Sequence, residues 1–391
     1  LSLTGATLKT KNTTFTTNAN ALTLSGGILE VAGVQDLGGV VPDNSTTLRL
    51  AANSTISDNA SLSVGTLELA NFALTLDDQM AGLSIAQLVT LDAAGEKLVT
   101  GAADLDLNDG ISATSGTLSS TGGIISASNL SAGAAGIINF QGGTLSLPGG
   151  ATLANGASFS TSNTTLNLGG SLAVAGTWSG SNTTSISLTT DNASLSSTVA
   201  LSLASLQTNG HDFELDSATT DLTIQNAFAL SGGETLSTQG ADLIFESSAD
   251  ISTESTLDAG DGGKFEFKQG GTANGTINAE NATFKIGAAY AVSGTLKTNS
   301  NTTWELGNSN LDLSSGILEI GGTVTLDNIL TNDQTIFKLS QNTTATRNSG
   351  FTLGGLNLEG NTLTLGSATT DLTLKDEYWF ENGSLAMGGG T

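Results

Sequence analysis

The chain has 391 residues, of which 50 are glycine; 12% are charged, 5% are aromatic, the formal net charge is −25 and cysteine is absent. This acidity excludes a nucleic-acid or anionic-membrane binder, since both need a basic footprint, and makes an anionic polysaccharide a poor ligand. The missing cysteines exclude a disulfide framework and thiolate metal sites, and no run of about 18 apolar residues offers a membrane-spanning helix.

Glycine-rich polar chains are often disordered, but here 38% of the residues are apolar and regularly placed. From the first run, LSLTGATLKT, residues 1–76 carry short apolar–polar–apolar runs bounded by Gly, Asn, Asp and Ser. Alternation of period two puts the outer pair on one strand face and the middle residue on the other. The residues between the runs tolerate tight turns and positive φ. The chain starts at Leu1 without a charged-then-apolar leader, so a processed chain or an excerpt of a longer one is expected.

Residues 77–103, DDQMAGLSIAQLVTLDAAGEKLVTGAA, depart from this texture. Met, Gln, Ala and Lys favour helix. An irregular excursion with room for a short helix, or a seam between two solenoid pieces, is expected there, with coils resuming over 104–391. DLDLNDG (Asp104 to Gly110) places Asp104, Asp106 and Asn108 like the first ligands of a calcium loop. Asp109 stands where that loop needs Gly and Ser115 where it needs Glu, so Leu105 and Leu107 inward with the acids in solvent is the better reading. Asp258 and Asp261 only echo a calcium-repeat turn. HDFELD holds the single histidine, His211, with Asp212, Glu214 and Asp216 on one side and Phe213 and Leu215 on the other. Such a row suits a cation or an acid–base pair, but also any solvated strand face.

LDSATTDLTI (Leu215 to Ile224) returns as LGSATTDLTL (Leu365 to Leu374), with eight of ten positions identical. Apolar triplets between the copies begin at Leu222, Leu243, Phe265, Phe284, Trp304, Val324, Phe351 and Leu372. All steps are 19 to 22 residues except the 27 from Val324 to Phe351, where residues 331–350 read as a loop insertion. Leu145, Leu166 and Ile186 keep the same period. A repeat near 20 residues built of short strands predicts an all-β fold, a parallel β-helix (β-solenoid) of roughly 18–20 coils. At about 4.8 Å per coil it would extend on the order of 90 Å.

Stretches such as GGTLSLPGGATLANGASFSTSNTTLNLGGSLAVAGTW (Gly142 to Trp178) resemble the passenger regions of bacterial autotransporters and filamentous-haemagglutinin-type adhesins. The resemblance covers most of the chain outside residues 77–103. It implies a right-handed β-helix on the outside of a bacterial cell.

The expected function is therefore a non-enzymatic, extracellular structural or adhesive rod: a stalk or adhesin segment, or a subunit of a surface filament. No catalytic residue, cofactor or metal is expected. The alternative is a polysaccharide-cleaving β-helix enzyme, although neither Lys nor Arg occurs between Leu98 and Gly263 and His211 is the sole imidazole. Expected partners are neighbouring coils of a longer chain, copies of itself end to end, or host or matrix ligands, without nucleic acid or membrane insertion. Sequons at Asn44, Asn163, Asn182, Asn301 and Asn342 are explained by corner roles. Tyr378-Trp379-Phe380 is either a binding patch or, as preferred here, enlarged core of a distorted coil. Neither LSLTGATLKT nor the closing SLAMGGGT looks able to cap a solenoid end.

Overall fold

A run of three or four residues with apolar outer positions is stable only if its backbone groups pair on both sides and its apolar edge is covered. Stacking such runs in register does both, and the chain forms a parallel β-solenoid of about 17 turns with about 21 residues per coil, slightly fewer and longer coils than expected. The computed structural model describes residues 2–12, 22–58, 60–191, 193–216, 220–366, 371–379 and 382–388. Ser217–Thr219 and Ser367–Thr370 of the repeated stretch, Phe380, and Gly389–Thr391 lie outside these residues. The chain divides into two compact units, residues 1–198 and 199–391.

In the first unit a typical coil has three strands, Ile124–Ala127, Leu130–Ala132 and Ile137–Phe140. Each pairs in parallel with its counterpart in the next coil, Thr144–Leu147, Ala151–Leu153 and Ser158–Thr161. Leu62, Leu83, Leu105, Ile125, Leu145, Leu166 and Ile186 stand one on another. All are at most 2% exposed, and each fully buried Leu or Ile contributes about 1.5–3 kcal/mol. Corners bring backbones close together. A Cβ on Gly143, at φ +74°, would lie 2.3 Å from the Gly123 carbonyl oxygen, so only glycine fits.

In the second unit Leu222, Leu243, Phe265, Phe284 and Trp304 form one such column, as the 20-residue stepping predicts. The neighbouring column is aromatic. Phe267 stacks on Phe245 at 5.2 Å and lies 4.4 Å from the Tyr290 ring. The Tyr290 hydroxyl donates to the Ala249 carbonyl at 3.1 Å, and burial pushes its pKa well up. The two copies of the repeated stretch make the same bond. Leu201 N–H donates to the Asp221 carbonyl and Phe351 N–H to the Asp371 carbonyl, both at 2.8 Å.

Two expectations fail. Residues 77–103 contain no helix: Gly82–Ile85, Val89–Leu91 and Lys97–Val99 are strands paired in register with their neighbours. Leu83, Ile85, Val89, Leu91 and Leu98 fill the buried columns, and that burial outweighs local helix propensity. The expected insertion at residues 331–350 is also absent, because Ile336–Thr346 is an 11-residue strand. Val324 stacks on Ala345 and Phe351 on Leu372. The 27-residue step therefore joins two different columns.

Candidate functional site

The acidic motifs are strand faces. Asp104 and Asp106 are exposed and Leu105 and Leu107 buried. Asp104 Oδ1 accepts the Ile124 N–H at 2.7 Å, and Asn108 Nδ2 donates to Ser84 Oγ at 3.1 Å, so these groups brace adjacent coils instead of converging. A shallow depression of about 330 Å³ above Gly82 has both aspartates on its edge. Asp258 Oδ1 accepts from Gly260 N–H and Asn278 Nδ2, each at 3.1 Å, and Asp261 from Asn281 Nδ2 at 2.7 Å. In HDFELD, Asp212, Glu214 and Asp216 are exposed, Phe213 and Leu215 buried and His211 half-buried. Asp212 Oδ1 accepts the Thr235 N–H at 2.6 Å. Among the described residues no group of three or more His, Cys, Asp or Glu is arranged to hold a metal, and no helix is long and apolar enough to cross a membrane. The sequon asparagines Asn44, Asn163, Asn182, Asn301 and Asn342 are exposed. Asn163 takes φ +52° at a corner, whereas Asn342 lies inside a strand and accepts the Thr362 N–H at 2.9 Å.

Sequence reasoning missed three buried carboxylates among the described residues, Asp58, Glu96 and Glu234. Glu96 accepts backbone N–H groups of Asn71, Asp92 and Ala93. Glu234, 2% exposed, accepts from Thr208 Oγ1 at 2.9 Å and Gly210 N–H at 2.7 Å. Both tie turns of successive coils together.

Five of the eleven cations lie on outward columns of alternating sign. In the first unit Lys9, Glu30, Arg49 and Glu68 are successive cross-strand partners. In the second, Glu266, Lys285 and Glu305 follow one another, with Lys285 Nζ 3.2 Å from Glu266 and 3.7 Å from Glu305. Lys264 sits 3.1 Å from Asp242 and 3.5 Å from Glu266. Burial by itself would raise the Glu266 pKa, but Lys285 and the charges of Lys264 and Lys268 outweigh it and hold the carboxyl below its ordinary value. A third column runs Lys297, Glu319 and Lys338. Elsewhere the outward positions are small and polar, as in Thr144, Ser146, Thr165, Asn167, Ser185 and Ser187.

The two units share a motif offset by 289 residues, so that Ile28 corresponds to Ile317. SGGILEVAG (Ser25 to Gly33) matches SSGILEIGG (Ser314 to Gly322). Both begin long strands whose register shifts at Gly33 or Gly322, at φ +77° and +76°. Thr46 Oγ1 donates to the Leu24 carbonyl at 3.1 Å, and its counterpart Thr335 Oγ1 to the Leu313 carbonyl at 2.7 Å. Asn53 and Asn342 each accept a backbone N–H of the next coil at 2.9 Å. A Cβ on Gly65 or on Gly354 would stand 2.3 Å from the carbonyl oxygen of Asn44 or Asp333. The signal was present in the sequence, but at a spacing far beyond the 20-residue period.

On this shared skeleton the second unit carries a depression of about 640 Å³, lined by Asp333, Gln334, Ile336, Gly354, Gly355, Lys375, Asp376 and Trp379. The register Ile336–Gly355 sets bare Gly355 beside the outward Ile336, and Trp379 follows Asn357 on the adjacent column. Between Leu374 and Glu377 the strand bulges, so that Lys375 and Asp376 together face Gly354. The expectation that Tyr378 and Trp379 fill a core is wrong, since they are 60% and 42% exposed. Trp379 continues an outward column. Tyr378 continues the column of buried Phe337 and Leu356, yet lies largely open. No family model, no curated protein and no solved structure matches the chain.

Proposed function

We propose that the chain is a structural segment of a bacterial cell-surface protein: an extracellular, non-enzymatic stalk or adhesive solenoid. The observation that carries this reading is the outward surface of the regular coils. Small hydroxyl and amide side chains cover much of it, and the charged residues are largely spent on neighbours in adjacent coils. Such a surface spaces and supports. Each coil closes its backbone bonds on the coils beside it, so load passes along the stack through many parallel hydrogen bonds. In this reading the partners are further coils of a longer chain or copies of the chain itself, together with host or matrix ligands. The resemblance of Gly142–Trp178 to surface-adhesin repeats supports the location.

The test is fractionation of the cells that make the protein, followed by protease treatment of intact cells. Recovery in the surface fraction with loss on protease treatment is expected. A protein confined to the cytosol, or one that releases reducing ends from a polysaccharide panel, would overturn the proposal.

A further inference from the structure

We propose that the depression around Gly355 in the second unit is a binding site for a neutral saccharide. This goes beyond the scaffold role and does not depend on where the protein resides.

Three separate devices build the site. Gly355 removes one outward side chain from a strand face and opens a notch. The bulge beside it projects two consecutive polar residues, Lys375 and Asp376, at one wall, and bulges of this kind re-aim side chains next to binding sites. Trp379 supplies an indole that is 42% exposed on a chain with only three tryptophans. A volume of about 640 Å³ suits a small ligand of one or two sugar rings.

The first unit is an internal control. Its corresponding positions, offset by 289 residues, keep the glycine that the close backbone approach demands, Gly65 for Gly354. The lining differs everywhere else. Thr66 fills the notch that Gly355 leaves open and donates to Gln87 Oε1 at 3.1 Å, and Thr90, the residue aligned with Trp379 in sequence, lies on a strand that pairs with Ile111–Ala113. Where the second unit has Lys375, Asp376 and Ile336, the first has Ala86, Gln87 and Thr47. The pairing of Thr47 with Thr66, the counterpart of Ile336 with Gly355, stands without these lining residues, whereas the cover that Leu372–Trp379 gives to Gly355–Asn357 belongs to the second unit, since Thr66–Glu68 pairs only with the strand Thr47–Ser57 among the described residues.

The chemistry selects the ligand class. An indole presents a flat apolar face to the axial C–H groups of a pyranose ring, and carboxylates, an amide and an ammonium accept and donate to its hydroxyls. Asp333 and Asp376 against Lys375 leave the lining net negative, within a chain of net charge −25. Uronates and sialates are therefore disfavoured, and neutral or N-acetylated sugars favoured.

The experiment is calorimetric titration of the purified chain with cellotetraose, maltotetraose, chitotriose and trigalacturonate, alongside Trp379→Ala, Gly355→Thr and Trp304→Phe. Gly355 lies in the strand Phe351–Asn357, and Thr is the residue the first unit carries at the corresponding position, so Gly355→Thr puts that side chain into the notch. Binding of at least one neutral sugar near the millimolar range is expected. Trp379→Ala and Gly355→Thr should each weaken it at least about tenfold (about 1.4 kcal/mol), with unchanged circular dichroism, and Trp304→Phe should not. No neutral sugar binding, binding of trigalacturonate alone, or binding that Gly355→Thr leaves intact would each overturn the proposal.

Discussion

Replacing Phe267 with Ala tests whether stacked columns carry the stability of the second unit. Phe267 has no exposed surface and touches Phe245, Phe284 and Tyr290 with ring centroids 5.2, 5.7 and 4.4 Å away. A buried Phe→Ala change costs about 3–5 kcal/mol, and each lost ring pair adds about 0.5–1.5 kcal/mol. The site is poorly able to collapse, because its strand is hydrogen-bonded on both sides to Asp242–Phe245 and Thr283–Ile286. A cost near the top of the range, about 5 kcal/mol, follows. In a stack this cost is shared with the nearest neighbours. Amide hydrogen exchange read by mass spectrometry should accelerate by about three orders of magnitude or more over residues 242–286, at about 1.4 kcal/mol per decade. Residues 124–168 of the other unit serve as the unchanged reference. Acceleration of less than tenfold, or equal acceleration in both units, would refute the nearest-neighbour account.

Thr161→Val should lower stability by about 1–3 kcal/mol in thermal or urea melts, because the Thr161 hydroxyl accepts the Trp178 indole N–H at 2.8 Å and pairs with buried Thr184 at 2.6 Å; an unchanged melt would dismiss this hydroxyl chain. Glu266 is held below its ordinary value of 4.5, so the folded state binds fewer protons there than the unfolded chain, and its contribution is present above pH 4.5 and lost as pH falls below it. Urea midpoints measured between pH 7 and pH 3 should fall less steeply in Glu266→Gln, and identical profiles would contradict the assignment.

The columns were legible because a period of two within runs and a period near 20 between them leave few other folds. Leu222 to Trp304 stack as the spacing predicts. Residues 77–103 were misread because propensity is local while the vacancies for Leu83 and Val89 are set by coils on either side. Val324 and Phe351 were joined because triplets on different faces look alike. The depression was out of reach for another reason. Gly355 and Trp379 are 24 positions apart in sequence, and only the register and the bulge bring them to one wall. The aromatic cluster was visible, but the face it would occupy was not.

The alternating charge columns bear on how such a chain can grow. Copying one coil keeps Leu over Leu and Phe over Phe, so the core accepts any number of copies. In the column Glu266, Lys285, Glu305 a single copied coil sets like charge over like at about 4.8 Å, an arrangement that destabilises a sheet. Two copied together preserve the alternation. Lengthening there is constrained to pairs of coils, whereas the hydroxyl columns of residues 144–188 impose no such parity and can be extended or shortened one coil at a time.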